Sequence, residues 1–406
     1  MTTADQTSSP AANQGRAWLG YRPPRGWSQR QRLLSAAGLA AALLGSQSLA
    51  ASSPQASDVR LLLPSEGLLA GLGDGLRRGY GLAMEQSRIC GRRPPSLQLG
   101  WLPPGADPGP ALAAMPRSAL LVAPPAAPLA AYGQLADRQR LTVLLPLQRG
   151  TSLERLPQQP GADRLWPLVP GRSLEADRLA RGLLEAGSSR VMAVHDGSTE
   201  EQSLTARFGS SFGNGGGQLL GPTQEPMPVD AGSTAALEQL DADVAWYRPQ
   251  ALVVFTRPGS PLARAVQQRP WPGELMLAWP FPVETRLAQA QLGVDPLSRG
   301  AGWPAFARSF RQRWGYQPGV VEGAGYDAGL VAALASVRSS GRSGWDLNWF
   351  NAKANPLPLC TALQRRAQGA AVRPRGVSSE LDLSPGLPPT ADLQLSRATA
   401  LSELQR

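Results

Sequence analysis

The stretch from Val59 to Gln86, VRLLLPSEGLLAGLGDGLRRGYGLAMEQ, constrains the fold more than any other part of this 406-residue chain. An apolar run ends in the turn-forming residues Pro64-Ser65-Glu66-Gly67. A glycine-rich opening then leads into Leu76, Tyr80, Ala83 and Met84 at helical spacing. That is strand, loop and helix in immediate succession. The alternation continues. Leu97 to Leu102, Ala119 to Ala123 and Leu141 to Leu145 read as short buried strands, with helices around Pro110 to Met115 and Ala126 to Ala136 between them. Further on come a strand at Arg190 to His195, a helix at Glu200 to Phe212 and, after the turn Gly213 to Gly217, a strand at Gln218 to Leu220. A helix over Thr234 to Ala245 and a strand at Ala251 to Phe255 follow, and Met276 to Ala278 is expected to be the last central strand. Strands that alternate with helices form parallel sheets covered by helices. The proline-rich stretch Pro157 to Pro170 marks a crossover between two lobes.

The first fifty residues bear on compartment. Arg16, Arg22, Arg25, Arg30 and Arg32 precede Leu33 to Leu44, which is almost wholly Leu and Ala, and Ser48-Leu49-Ala50 places small residues at a cleavage site. The expectation is a signal peptide over 1–50, cut after Ala50, which puts the protein in the periplasm or cell envelope. A retained anchor and a translation start further downstream are the alternatives. The leader carries five Arg against Asp5, so its removal lowers the net charge from +10 to +6. Lys353 is the one lysine, and no basic run carries interleaved aromatics, so no nucleic-acid partner is expected. Two cysteines in an exported chain, Cys90 and Cys360, are candidates for one disulfide, the alternative being two buried thiols.

Several blocks resemble the type I periplasmic binding proteins, specifically the branched-chain amino-acid and amide-binding family of ABC transporters (Leu/Ile/Val-binding protein-like). Glu66-Gly67, Gly73, Arg78-Gly79 and Leu82-Ala83 through Glu85 take the places of that family's first turn and helix. The text from Leu165, LWPLVPGRSLEADRLARGLLEAGSSRVMAVHDGS, resembles its entry into the second lobe, and Tyr326-Asp327-Ala328 its return to the first. The resemblance implies an α/β fold of two doubly wound parallel-sheet lobes joined by a three-stranded hinge. Lobe one is expected over 58–175 with 302–370 returning to it, and lobe two over 176–301 with 371–400 returning to it. Both cysteines then fall in lobe one, and a bridge would tie the chain's return to its beginning. The resemblance also implies a monomer without cofactor, working with ABC permease subunits in the membrane.

In such lobes a ligand binds beyond the carboxyl ends of the strands. The expected ligand-binding residues are Ser65, Glu66, Gln148, Arg149, Thr151, Asp196, Glu200, Arg257, Trp279 and Tyr326. Arg149 and Arg257 suit an anionic group, and Glu66, Asp196 or Glu200 a cationic one. The chain departs from the amino-acid binders after its third strand, where Ala123-Pro124-Pro125-Ala126-Ala127 stands in place of a serine and free amides. Catalysis is not expected. Gly71-Leu72-Gly73-Asp74-Gly75 is a fragment of a dinucleotide fingerprint, but Leu76 occupies the third glycine's place, and His195 is the only histidine. The leading expectation is the substrate-binding component of an importer for an amino acid, amide or related small polar solute. The alternative is an interaction, regulatory or sensor protein of the envelope with a degenerate cleft.

Overall fold

The apolar run at 59 opens the first of two main sheets. In a computed structural model that describes residues 58–113, 119–283, 286–287, 289–296, 299–338 and 344–400, the first lobe begins with β1 (Val59–Pro64), α1 (Leu68–Ile89), β2 (Leu97–Leu102), α2 (Pro108–Ala113), β3 (Leu120–Val122), α3 (Leu129–Gln139), β4 (Thr142–Leu145) and β5 (Leu165–Pro167). The leader, the site after Ala50 and the Met115 end of a predicted helix lie outside the described residues. The strands are parallel in the order β2-β1-β3-β4-β5. Successive strand residues point to opposite faces. Val59, Leu61 and Leu63 therefore enter one core with Leu76 and Tyr80, while Leu62 enters the other with Tyr132 and Leu135. A strand covered on both faces needs an apolar residue at almost every position, which is what β1 has.

The second lobe repeats the plan. It contains α4 (Arg172–Glu185), β6 (Arg190–His195), α5 (Thr199–Asn214), β7 (Gln218–Leu220), β8 (Met227–Pro228), α6 (Thr234–Tyr247), β9 (Ala251–Phe255), α7 (Pro261–Gln267), β10 (Met276–Trp279), β11 (Arg286–Leu287) and β12 (Gln291–Val294). Its parallel centre runs β12-β10-β9-β6-β7. The chain then adds α8 (Trp303–Trp314), α9 (Val320–Ala335), β13 (Pro356–Leu357), α10 (Leu359–Ala367) and β14 (Arg373–Pro374) to the first lobe. It ends in β15 (Leu395–Ala400), antiparallel to β12 of the second. The lobes are thus joined by three segments, 168–171, 295–302 and 384–394.

Three expectations need correction. Leu165–Pro167, inside the span expected for lobe one but read from the resemblance as a strand-like entry into lobe two, is the fifth strand of the first sheet, because it pairs with β4. Met276 to Ala278 is not the last central strand, since β12 lies beyond it. The final crossing comes later than residue 371. Val372, Val377, Leu381 and Leu383 sit in the first lobe's core, and Leu393 is in the second's. The reason is polar. The fully buried Asp327 carboxylate on α9 accepts hydrogen bonds from the Val377 amide (3.0 Å) and from the amide and hydroxyl of Ser378 (2.7 and 2.6 Å), while the Ser379 hydroxyl donates to the Leu168 carbonyl (2.8 Å). Satisfying that carboxylate holds the segment on the first lobe.

Helices α1 and α9 cross at contact distance. A Cβ on Gly79 would stand 1.9 Å from the Glu322 carbonyl oxygen, and one on Gly325 would stand 2.2 Å from that of Leu76. Only glycine fits either place. Every residue of α9 from Gly323 to Ala335 is buried, as a helix apolar all round requires. At the far end of α1, Cys90 is bonded to Cys360 on α10, with Cα atoms 5.1 Å apart and a sequence separation of 270. Closing so long a loop removes about 5 kcal/mol of denatured-state freedom in the chain-entropy model.

Candidate functional site

Parallel pairing brings the carboxyl ends of the strands to one edge of each sheet, and the loops leaving those edges form the candidate site. After β1, the Ser65 amide donates to the Leu102 carbonyl (3.0 Å), and Ser65 and Glu66 are exposed before Gly67 turns the chain into α1. After β3, Pro124 and Pro125 are buried and Ala126 is held at φ 58°, a left-handed conformation unusual for a residue other than glycine. The loop after β4 supplies the partner for that turn. Gln148 is 8% exposed and its amide nitrogen donates to the Pro124 carbonyl at 3.2 Å. Thr151 follows, half-buried, at the start of a short 3-10 helix.

Arg149 faces the hinge. Its Nε donates to the Pro170 carbonyl (3.3 Å), its guanidinium is paired with Glu175, and its own carbonyl accepts from the Arg172 amide (2.7 Å). Arg172, the first residue of α4, reaches Glu200 (3.0 Å) and both oxygens of Glu201 (2.8 and 3.1 Å), with Glu175 at 3.6 Å. The Glu175 and Glu201 side chains are nearly sealed from water, at 3% and 1% exposure. Burial opposes the charge on Arg172, but the carboxylates of Glu201, Glu175 and Glu200 outweigh it and hold its pKa above the ordinary value. Two expected ligand contacts, Arg149 and Glu200, are therefore partners in one internal network at the first crossing. The sequence reading did not include Arg172, Glu175 or Glu201. The available signal was Arg172 three residues before Glu175 at a helix start, facing a second helix that opens with Glu200-Glu201.

The second lobe's edge is built differently. His195, at the end of β6, is 4% exposed, and its Nδ1 accepts from the Gly197 amide (3.1 Å). Burial depresses its pKa against the pull of Asp196, so it is a neutral ring closing a turn. Asp196 accepts from the Ser198 amide (3.0 Å) and the Thr256 hydroxyl (2.8 Å). Burial alone would raise its pKa, but the hydrogen bonds from Ser198 and Thr256 win and hold it below the usual carboxylate value. Ser198, Ser233 and Ser260 cap α5, α6 and α7 by accepting from the amides of Glu201, Ala236 and Ala263. Together with Asp230 and the exposed Arg257, Asp196, Ser198 and Ser260 line an open cavity of about 720 Å³ at the ends of β6, β8 and β9. The Arg257 guanidinium has no hydrogen-bond or ion-pair partner among the described residues.

Two expected residues lie elsewhere. Trp279 is fully buried, its indole N–H bonded to Gln291 (2.8 Å), because strand parity sends Leu277 and Trp279 together into the core beneath α6 and α7. Tyr326 is on α9, where its hydroxyl donates to Gln86 of α1 and its ring packs 4.9 Å from that of Phe306. Neither residue lines the second lobe's cavity. The structure brings together Asp196 and Arg257 in one cavity and Arg149 and Glu200 in the network. Among the described residues no cluster of His, Cys, Asp or Glu could hold a metal ion.

No protein-family model and no curated protein sequence matches the chain. Solved structures do match it. A branched-chain amino-acid ABC transporter periplasmic ligand-binding protein from Burkholderia xenovorans is 14% identical with a TM-score of 0.58, over 85% of this chain and 91% of that one. An ABC transporter substrate-binding protein from Desulfitobacterium hafniense in complex with Leu is 14% identical with a TM-score of 0.55, over 84% and 97%. A solute-binding protein of an ABC transporter from R. palustris in complex with benzoate is 17% identical with a TM-score of 0.53, over 84% and 92%. The fold is that of a type I periplasmic binding protein. At such identity the likeness concerns the fold and leaves the site to be argued from its own side chains.

Proposed function

We propose that this chain is the extracytoplasmic substrate-binding component of an ABC-type importer, non-catalytic, taking a small polar solute between its lobes and presenting it to membrane permease subunits. The observation that carries the reading is the open polar cavity at the second lobe's strand ends, set in a fold with three inter-lobe segments. Such lobes close on ligand by hinge motion. Arg257 supplies a free cation, Asp196 a carboxylate kept ionised, and Ser198 and Ser260 hydroxyls. This set suits an amino acid, amide or related solute carrying both a polar and an anionic group. The first lobe contributes little. With Pro124 and Pro125 lacking amide protons and Gln148 turned onto Pro124, a carboxylate finds few donors there, and branched-chain amino acids bind poorly.

A thermal-shift panel of amino acids, amides, polyamines, ureas and dicarboxylates tests the proposal. A ligand at a hundred times its dissociation constant adds about 2.7 kcal/mol of stability, a shift of a few degrees. At the same ligand concentration the shift falls to about half in Arg257→Ala if the cavity is the site, as a roughly tenfold loss of affinity requires. Silence across the panel favours a second reading, an envelope interaction or sensor protein, for which the internal pairing of Arg149 and Glu200 is the supporting observation.

A further inference from the structure

A second cavity, of about 300 Å³, lies among α1, α8, α9 and α10 and beside the Cys90–Cys360 disulfide. Its wall is apolar, formed by Phe306, Leu330, Leu359 and Val377. On the floor, the Gln86 side chain and the Tyr326 hydroxyl satisfy one another. At the rim, Ile89 is 79% exposed, an unusual position for a large aliphatic side chain. Among the described residues no carboxylate lines the cavity. One charged residue does, Arg375, which is exposed and whose guanidinium has no partner among the described residues although its backbone is fixed by a bond to the Leu357 carbonyl (2.8 Å).

We infer that this cavity is a binding site for a small carboxylate with an apolar body, such as an arylacetate or a medium-length aliphatic acid. The apolar end enters against Phe306 and Leu330, and the carboxylate meets Arg375 at the mouth. Its size is at the lower end of ligand cavities, which excludes bulky ligands. An apolar chamber rewards burial of hydrocarbon, and a single unpaired guanidinium with no competing anion selects the charge. Anions are favoured over neutral isosteres for that reason. The site is independent of the importer reading, since it shares no residue with the second lobe's cavity.

Titration by calorimetry and ligand-observed NMR with phenylacetate and hexanoate, against phenylacetamide and hexanol, tests the assignment. Saturable binding of the acids is expected, at least tenfold tighter than that of the neutral analogues. Arg375→Ala should remove this preference. Ala305→Trp, on the exposed face of α8 at the cavity, should abolish binding while leaving the melting temperature close to that of the unmodified protein. Arg257→Ala, in the other cavity, should leave binding unchanged. Absence of saturable binding at millimolar acid overturns the site, as does binding that survives Ala305→Trp or is lost in Arg257→Ala.

Discussion

The strand ends of the two lobes are made from the same kind of loop and have opposite characters. In the first lobe Gln148 turns onto the Pro124 carbonyl and Arg149 onto Glu175 and Pro170, so the loops after β3 and β4 are closed by their own side chains while Ser65 and Glu66 stay exposed after β1. In the second, three serine caps and the Asp196–Thr256 pair stiffen the loops, and Arg257 is exposed without a partner among the described residues. Where loops need side chains from one another to hold their shape, little remains for a ligand. Where backbone turns and helix caps hold them, side chains stay available. Recognition in this protein is therefore expected to be one-sided, with the second lobe supplying specificity and the first acting as a cover.

The largest expected effect concerns how the lobes are held. The disulfide ties only the first lobe, so Cys90→Ser with Cys360→Ser should cost about 5 kcal/mol there. Urea unfolding followed by separate probes on each lobe should show the first lobe's transition moving to lower urea ahead of the second's. Coincident shifts in both would mean that the lobes unfold as one unit and would weaken the contrast.

Next comes the network at the first crossing. Glu175→Ala leaves Arg149 and Arg172 short of a buried partner and should cost roughly 3–5 kcal/mol. A loss below about 1 kcal/mol in a denaturation series would show that Arg149 is free to serve a ligand after all.

Asp327 gives a pH signature of the first lobe alone. Burial pushes its carboxyl up to about 7, against the hydrogen bonds from Ser378 and Val377. A pKa raised on folding means that the stabilisation is fully present below pH 3.8, the group's ordinary value, and is lost as pH rises through about 7. The change is on the order of a few kcal/mol. Asp327→Asn should flatten stability between pH 4 and 7, and an unchanged slope in that variant would assign the titration to another group.

The smallest effect sharpens the contrast most directly. For whichever panel ligand stabilises the protein, Arg257→Ala should weaken binding roughly tenfold, as loss of one charge-assisted hydrogen bond does, whereas Gln148→Ala should lower stability and change affinity little. Equal effects from both variants would make the two edges equivalent.

Most strands were legible because each lobe's sheet is covered on both faces. A buried parallel strand must be apolar along nearly its whole length, and β1, β6 and β9 carry that pattern. Gln291–Val294 was not read as a sheet strand, and the sheet to which Leu165–Pro167 belongs was not read either, because membership depends on a distant partner. Ser65, Asp196 and Arg257 were placed correctly at loop ends by their position after a strand. Trp279 was not, because it is the last residue of its strand and parity, not adjacency to a loop, decides where its ring goes.

By itself the sequence determined the alternation of strands and helices and the order of most central elements, because burial acts through local composition, while the two-lobed arrangement came from the resemblance. It also set which loops stand at the strand ends. Only the tertiary structure decided which charges remain open. Arg149 and Arg257 are the same residue type, each in a loop that leaves a strand end, yet Arg149 meets Glu175 across the crossing and Arg257 meets nothing described. A charge's availability depends on what comes within a few ångströms of it, and that distance is set by chain segments far apart in sequence.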